Sequence, residues 1–298
     1  MEPASSGAGD HDDMAPLISP AELHELLGRD PNVRLLDVRW RLDEPEGRPA
    51  YLDGHLPGAV YVDLEHELAL RGDPREGRHP VPPRTVLEEA ARRWGLRAGD
   101  HVVVYDDLHA VAAARAWWLL TRSGVPSVRV LDGGLRAWIA EGLPLETGDV
   151  QPRRGTIQLD ELDPDAVADI DDVEDWPWRG TLLDVRAPER YRGDTEPIDP
   201  VGGHVPGAVN LPTTVHVHGG RFRPPDELRA AFASVGATEG VPVAAYCGSG
   251  IAATHTALAG AVAGIEVTVY PGSWSQWSNT RGRLVAVGRT PAAEVVPS

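Results

Sequence analysis

The sequence contains Leu35-Leu36-Asp37-Val38-Arg39 and repeats it as Leu182-Leu183-Asp184-Val185-Arg186. Three further blocks recur in the same order: residues 54–59 with 203–208, 102–106 with 243–247, and 131–138 with 270–277. Four blocks that keep their order indicate a tandem duplication with changes in loop length. The length of 298 residues agrees with this, because ordinary domains have about 100–150 residues.

Each copy alternates short apolar runs with helix-like stretches. The runs have little polar alternation, which is typical of strands buried on both faces; examples are residues 33–38, 102–105 and 127–131. The helix-like stretches are residues 85–94, 110–122, 225–235 and 252–262. This alternation predicts an α/β protein of two tandem domains, each a parallel sheet flanked by helices.

The predicted domains are residues 16–145 and 165–287. Residues 146–164 are rich in turn residues and charges and have little periodicity, so we predict a linker there. Residues 1–15 and 288–298 are predicted to be flexible tails.

Charge excludes some partners. The net charge is -17 and the pI is near 5.0, so a phosphate backbone or an anionic membrane would be repelled over most of the surface. No apolar run is long enough for a membrane helix, and the N-terminus is acidic. We therefore expect a cytoplasmic protein, a monomer that binds neither nucleic acid nor membrane.

Cys247 is the one cysteine of the chain. A single thiol forms no intrachain disulfide and leaves no cysteine cluster for a structural zinc, so we expect no metal and no cofactor. Such a residue is either a buried apolar filler or a reactive group.

The two copies act as controls for each other. His55 and His204 lie in blocks common to both halves, so they are interpreted as turn or packing residues rather than as general bases. The halves differ after a tyrosine that they share, Tyr105 in the first and Tyr246 in the second. The first half continues with Asp106 and the second with Cys247. The cysteine is thus placed at the carboxyl end of a predicted parallel strand, the edge at which α/β sheets bind ligands.

The residues after Cys247 form a turn that suits an anion. Gly248 and Gly250 allow backbone conformations that point successive N–H groups into one concavity, and a helix start follows. This turn would stabilise a thiolate and hold an anionic substrate. These features favour the reactive interpretation of Cys247.

Two other cysteine chemistries fit less well. A cysteine phosphatase needs an arginine six residues after the nucleophile, where this chain has Ala253. A cysteine hydrolase needs a histidine oriented by a carboxamide or carboxylate, and the tight glycine-rich loop leaves little room for a peptide.

The chain resembles the two-domain rhodaneses in four features. These are the repeated LLDVR block, the repeated GHxPGA block (residues 54–59 and 203–208), the loop from Cys247 to Ala253, and Gly272-Ser273-Trp274 followed by Trp277. The resemblance runs from about residue 17 to residue 283. It implies a sulfurtransferase in which Cys247 carries sulfur as a persulfide. Within that family, the loop Cys247-Gly248-Ser249-Gly250 is similar to that of 3-mercaptopyruvate sulfurtransferases.

The resemblance also implies roles for individual residues. Mercaptopyruvate enzymes use the loop serine, here Ser249, with a histidine and an acid from the first domain; these match His79 and either Asp63 or Glu65. Donor binding falls to Arg190 and to the loop backbone, which consists of Gly248, Gly250, Ile251 and Ala252.

The family has a second donor-binding arginine before the GHxPGA block, but residues 196–202 contain none. Arg192 or an arginine of the first domain is a possible replacement.

The expected reaction moves a sulfane sulfur from 3-mercaptopyruvate, a small anionic donor, to cyanide or a thiol such as a small thiol or a thioredoxin-like protein. Thiosulfate is the alternative donor. A persulfide or oxidant sensor is the non-enzymatic alternative.

Overall fold

The computed structural model describes residues 15–70, 72–291 and 294–297 of the chain. The predicted N-terminal tail lies outside the described residues except for position 15, and so do position 298 and two other residues of the predicted C-terminal tail.

The first half forms a parallel sheet in the order β1-β5-β4-β2-β3. Its elements are β1 (Leu17–Ile18), α1 (Pro20–Arg29), β2 (Val33–Asp37), α2 (Arg48–Asp53), β3 (Val60–Tyr61), α3 (Leu64–Glu67), α4 (Arg84–Arg93), β4 (His101–Tyr105), α5 (Val111–Arg122), β5 (Val128–Leu131) and α6 (Gly134–Ala140). The central strand β4 is almost wholly buried because helices cover both faces of the sheet.

The second half forms a parallel sheet in the order β11-β10-β6-β7. Its elements are α7 (Ile170–Asp175), β6 (Thr181–Asp184), α8 (Pro188–Arg192), β7 (Val209–Asn210), β8 (Val217–His218), β9 (Arg221–Phe222), α9 (Pro225–Ala233), β10 (Val243–Tyr246), α10 (Ile251–Ala263), β11 (Thr268–Val269), α11 (Ser273–Trp277), β12 (Leu284–Val287) and β13 (Glu294–Pro297). A single bridge from Val167 to Val269 stands where β1 pairs with β5 in the first half. The predicted pair of α/β domains is confirmed.

Helices α5 and α10 pack against each other between the two halves. Both are rich in alanine, so their backbones approach closely, and one hydrophobic cluster continues from Val104 and Ala113 to Ile251 and Ala253. This contact brings the carboxyl ends of β4 and β10 toward the same interface, where the loop after β10 meets residues of the first half.

Two segments outside the predicted domains hold regular contacts. Residues 146–164 follow the first half, to which they are joined by backbone hydrogen bonds such as Gly155 N to Arg92 O (2.7 Å) and Asp160 N to Ser123 O (3.0 Å). The predicted C-terminal tail contains β13, which pairs antiparallel with β12. The domain boundaries themselves stay a prediction.

Within the described residues, no helix combines the length and the apolar character needed to cross a bilayer.

Candidate active site

Cys247 follows β10 directly and is 3% exposed. The chain then turns through Gly250, which has φ +86° and precedes α10. A Cβ at position 250 would lie 2.3 Å from the carbonyl oxygen of Pro271, so both the conformation and the space require glycine. The turn fixes the sulfur at the start of a 13-residue helix.

The sulfur of Cys247 is held by hydrogen-bond donors. The N–H of Gly250 donates to Sγ at 3.0 Å, and Oγ of Ser273 lies 3.9 Å from Sγ. Ser273 Oγ also accepts the N–H of Cys247 at 3.1 Å, which ties the loop to α11. An amide donor and a helix N-terminus both favour an anionic sulfur. Ser273 is not among the predicted site residues, although it belongs to the motif Gly272-Ser273-Trp274.

Ser249 and His79 meet across the domain interface. The hydroxyl of Ser249 is 2.8 Å from Nδ1 of His79, and Nε2 of His79 is 3.1 Å from Oε1 of Glu65. Trp40 Nε1 donates to the same Glu65 oxygen at 2.8 Å. Ser249, His79 and Glu65 are all buried, so these bonds lie largely out of bulk solvent. The three residues form a relay in which a proton can pass between the hydroxyl and the imidazole.

Burial lowers the pKa of His79, and the nearby Glu65 carboxylate opposes this shift. A neutral imidazole has one donor and one acceptor nitrogen. With Nε2–H donating to Glu65, Nδ1 accepts the hydroxyl hydrogen of Ser249. This is the tautomer that a general base acting on Ser249 requires.

The structure selects Glu65 over Asp63 as the acid of this relay. The carboxylate of Asp63 caps α3 by accepting the backbone N–H of His66 at 3.2 Å, and it also pairs with the imidazole of that residue at 2.9 Å. Asp63, one of the two acids predicted to be catalytic, therefore lies outside the relay.

Arg115 is a buried cation that sequence reasoning missed. Its guanidinium donates to three backbone carbonyls, those of Leu68 (3.2 Å), His79 (3.0 Å) and Gly250 (3.4 Å). Burial lowers its pKa to about 10, against the opposing effect of the Cys247 charge, so it stays positive at neutral pH. The one signal in the sequence was an arginine within the apolar helix α5.

Two partly buried arginines, Arg78 and Arg190, flank the loop at Gly248. A Cβ at that position would lie 3.2 Å from Nη2 of Arg78 and 3.3 Å from Nη1 of Arg190, so a larger residue would crowd both guanidinium groups. Arg78 comes from the first domain and donates to the Gly248 carbonyl at 3.2 Å. Arg192 instead pairs with Asp194 at 2.6 Å. Arg78 is thus the first-domain arginine that lies beside Gly248 together with Arg190.

The remaining predicted binding residues form the start of α10. Ile251 is 3% exposed and its side chain belongs to the hydrophobic core, while Ala252 is partly buried. Only their backbone N–H groups, in the first turn, face the loop side of the helix.

A cleft of about 560 Å³ leads to the relay between the two halves. Its walls combine polar groups with apolar residues and comprise Leu42, Pro45, Glu65, Gly72, Pro74, Gly77, Arg78, His79, Ile198, Asp199, Pro200, Ser275 and Asn279. The volume suits a small donor rather than a folded peptide chain.

The matching loop of the first half contains no nucleophile. The Asp106 carboxylate accepts four backbone N–H groups, those of Leu108, Ala110, Ala112 and Ala113, at 2.8–3.0 Å. A side-chain anion therefore fills this turn from within.

The interpretation of His55 and His204 as packing residues agrees with the structure. Each is buried, is stacked on a tyrosine, and has Nδ1 2.8 Å from that tyrosine's carbonyl oxygen. Among the described residues, no group of three or more histidine, cysteine or acidic side chains is placed to hold a metal ion.

Comparisons with known proteins agree with the architecture. A family model described as a rhodanese-like domain matches residues 19–141 and again 168–280. A Mycobacterium tuberculosis protein named as a thiosulfate sulfurtransferase, SseB, is 45% identical over 275 residues, covering 91% of this chain and 97% of its own.

A Pseudomonas aeruginosa protein named as a 3-mercaptopyruvate sulfurtransferase is 42% identical over 273 residues, covering 87% of this chain and 94% of its own. The crystal structure of SseA from Escherichia coli, described as a 3-mercaptopyruvate sulfotransferase, superposes with a TM-score of 0.77. It is 31% identical and covers 88% of this chain and 99% of its own.

Proposed function

The chain belongs to the rhodanese-like family and is a sulfurtransferase, and we propose that it moves a sulfane sulfur from 3-mercaptopyruvate to a thiol or cyanide through a persulfide on Cys247. The observation that carries this proposal is the meeting of the Cys247 loop with His79 and Glu65. A sulfur held by an amide and a proton relay reaching the adjacent Ser249 are the two parts that this donor requires.

In the first half-reaction, the Cys247 thiolate attacks the sulfur of mercaptopyruvate. An S–S bond forms, the C–S bond of the donor breaks, and its electron pair passes to the enolate of pyruvate. The proton of the donor thiol passes through the Ser249 hydroxyl to the neutral Nδ1 of His79 and returns along the same path to the enolate, so that pyruvate and a Cys247 persulfide anion are formed. Arg190 and Arg78 bind the donor carboxylate beside Gly248.

In the second half-reaction, a thiolate or cyanide attacks the outer sulfur of the persulfide. The S–S bond breaks and its electron pair returns to Cys247 as a thiolate, which the Gly250 N–H and the buried Arg115 cation stabilise. Alternation of the two forms gives ping-pong kinetics. Cysteine itself is the sulfur carrier, so the cycle needs neither a metal nor an organic cofactor.

We also propose a monomer in the cytoplasm, where thiols stay reduced, with a small thiol or a thioredoxin-like protein as acceptor. Thiosulfate is the second candidate donor, since the name of the Mycobacterium tuberculosis relative points to it at a similar identity.

Turnover with each donor tests the proposal. Wild-type protein should release many equivalents of pyruvate per site with mercaptopyruvate and a thiol, whereas Cys247→Ser should release none, because a hydroxyl has no comparable anion at neutral pH. Uptake of about one sulfur per site without further turnover would instead indicate a persulfide sensor. Sulfite release from thiosulfate at the higher kcat/KM would make thiosulfate the natural donor.

A further inference from the structure

One carboxylate joins the two arginines beside the reactive loop. Arg78 Nη1 donates to Oδ1 of Asp199, and Arg190 Nη2 lies 3.4 Å from Oδ2 of the same residue. The side chain of Asp199 is only 2% exposed. Arg78 and Asp199 come from different domains, so this bridge is also a contact across the interface.

A second acid lies behind the first. Arg190 donates Nε and Nη2 to the Glu196 carboxylate at 3.1 and 2.6 Å, and Glu196 also pairs with Arg186 at 3.3 Å. Two carboxylates therefore accompany the two cations that face Gly248. The local charge at the donor site is close to zero rather than +2.

The arginine nitrogens nearest the loop are Nη2 of Arg78, which already donates to the Gly248 carbonyl at 3.2 Å, and Nη1 of Arg190. Nη2 of Arg78 and Nη1 of Arg190 point toward Gly248, as the short distances to a Cβ at that position require. Nε of Arg78 is buried and has no hydrogen-bond partner among the described residues. An anion bound to these groups would have Asp199 as its neighbour.

The charge of the donor then decides how costly that neighbour is. Coulomb energy is proportional to the product of the charges, so repulsion by one carboxylate is about twice as large for a dianion as for a monoanion. Mercaptopyruvate carries one carboxylate and a neutral thiol, whereas thiosulfate carries two negative charges. Burial of Asp199 strengthens the effect, because little solvent screens it.

We propose that Asp199 is the specificity-determining residue of the donor site and that its carboxylate selects a monoanionic donor over the thiosulfate dianion. The inference rests on the proposed sulfur transfer through Cys247. It goes beyond that proposal by assigning the choice of donor to a residue that touches both arginines and neither the sulfur nor the proton relay.

The test is Asp199→Asn, which keeps the size of the side chain and removes its charge. Because the two donors differ twofold in charge, the gain in kcat/KM for thiosulfate should be about the square of the gain for mercaptopyruvate, roughly tenfold against roughly threefold. The assays measure the sulfite released from thiosulfate and the pyruvate released from mercaptopyruvate. Cyanide is the sulfur acceptor in both assays, and the ionic strength is the same. If Asp199→Asn does not fold, Asp199→Ser carries the same expectation.

Asp194→Asn is the matched control. Asp194 lies in the same loop and pairs with Arg192 at the surface, so its removal changes the net charge equally without reaching the site. The ratio of the two kcat/KM values should stay at its wild-type value in this variant.

Two outcomes would overturn the inference while leaving the proposed function intact. An unchanged ratio in Asp199→Asn would show that the charge does not discriminate. An equal fall for both donors would show that Asp199 only positions Arg78 and Arg190. Wild-type protein without turnover on either donor would refute the proposed function itself, so the two failures are distinguishable.

Discussion

Removal of the Ser249 hydroxyl should separate the two donors. When mercaptopyruvate loses its sulfur, the departing enolate needs a proton, whereas sulfite leaves thiosulfate as a stable anion. The Ser249 hydroxyl lies 2.8 Å from Nδ1 of His79 in a buried position, so Ser249→Ala removes the group that contacts the imidazole. We expect kcat with mercaptopyruvate to fall about 10²-fold, which corresponds to about 2.7 kcal/mol in the activation free energy.

The relay should behave as one unit. His79→Ala should give a similar loss, and the double variant Ser249→Ala/His79→Ala should lose little more than either single variant, because the hydroxyl and the imidazole act on the same proton. Glu65→Gln should also lower kcat with mercaptopyruvate, since the Nε2–H of His79 would lose its charged acceptor. Asp63→Asn is the matched control, because asparagine also caps a helix and Asp63 does not touch the relay.

Steady-state assays with the two donors and one acceptor measure these effects. Losses with thiosulfate should stay within a few-fold for Ser249→Ala. Equal losses with both donors would refute the relay and reduce Ser249 and His79 to structural residues. If Asp63→Asn abolished activity with mercaptopyruvate and Glu65→Gln left it unchanged, the acid of the relay would be Asp63 rather than Glu65.

Three further predictions concern buried titratable side chains. Asp106→Asn should leave kcat unchanged but lower the free energy of unfolding by about 1–3 kcal/mol, because an amide NH2 would face backbone N–H donors; a loss of kcat in folded protein would contradict this. Burial lowers the pKa of His216 from 6.5 to about 4. Between pH 6.5 and pH 4 this histidine is therefore protonated in the unfolded chain but not in the folded protein, so the free energy of unfolding falls as the pH drops below 6.5. Chemical denaturation measures the decrease in the free energy of unfolding between pH 7 and pH 4. This decrease should be roughly 3 kcal/mol smaller in His216→Leu than in the wild-type protein, and an equal decrease would refute the prediction. Burial also lowers the pKa of His79, so kcat with mercaptopyruvate should hold as the pH decreases from 7 to 6, and a drop centred at pH 6.5 would contradict a neutral base.

The fold could be read from the sequence because a duplication supplies its own control. The repeated strand and turn blocks fixed the boundaries of the main elements to within a few residues; helix 110–122, for example, is observed as α5, Val111–Arg122. The strand β13 escaped prediction because its pairing with β12 depends on a tertiary contact rather than on a periodic pattern.

The site was only partly predictable, for a physical reason. Cys247 and Gly250 belong to one turn, so local sequence was enough to place them. Arg78 and Arg115 reach the loop from separate segments of the other domain, and Asp199 contacts Arg78. No local pattern encodes such contacts, so the sequence indicates an arginine of the first domain as a replacement without identifying Arg78.

The two loops show how a duplicated fold can specialise one copy. In the first half, Asp106 fills the turn with its own anion and holds His109 and Ala110 at positive φ values of 59° and 65°. In the second, glycine provides the left-handed residue, and the sulfur at the same strand end receives a single N–H.

We nevertheless expect the first domain to be required for chemistry. It supplies Arg78, Arg115, His79 and Glu65 to a sulfur that belongs to the other domain. The second domain alone would contain Cys247 but would lack His79, Arg115 and Arg78. We therefore expect sulfur chemistry at Cys247 to depend on the packing of α5 against α10, because these helices are in contact where the two halves of the site meet.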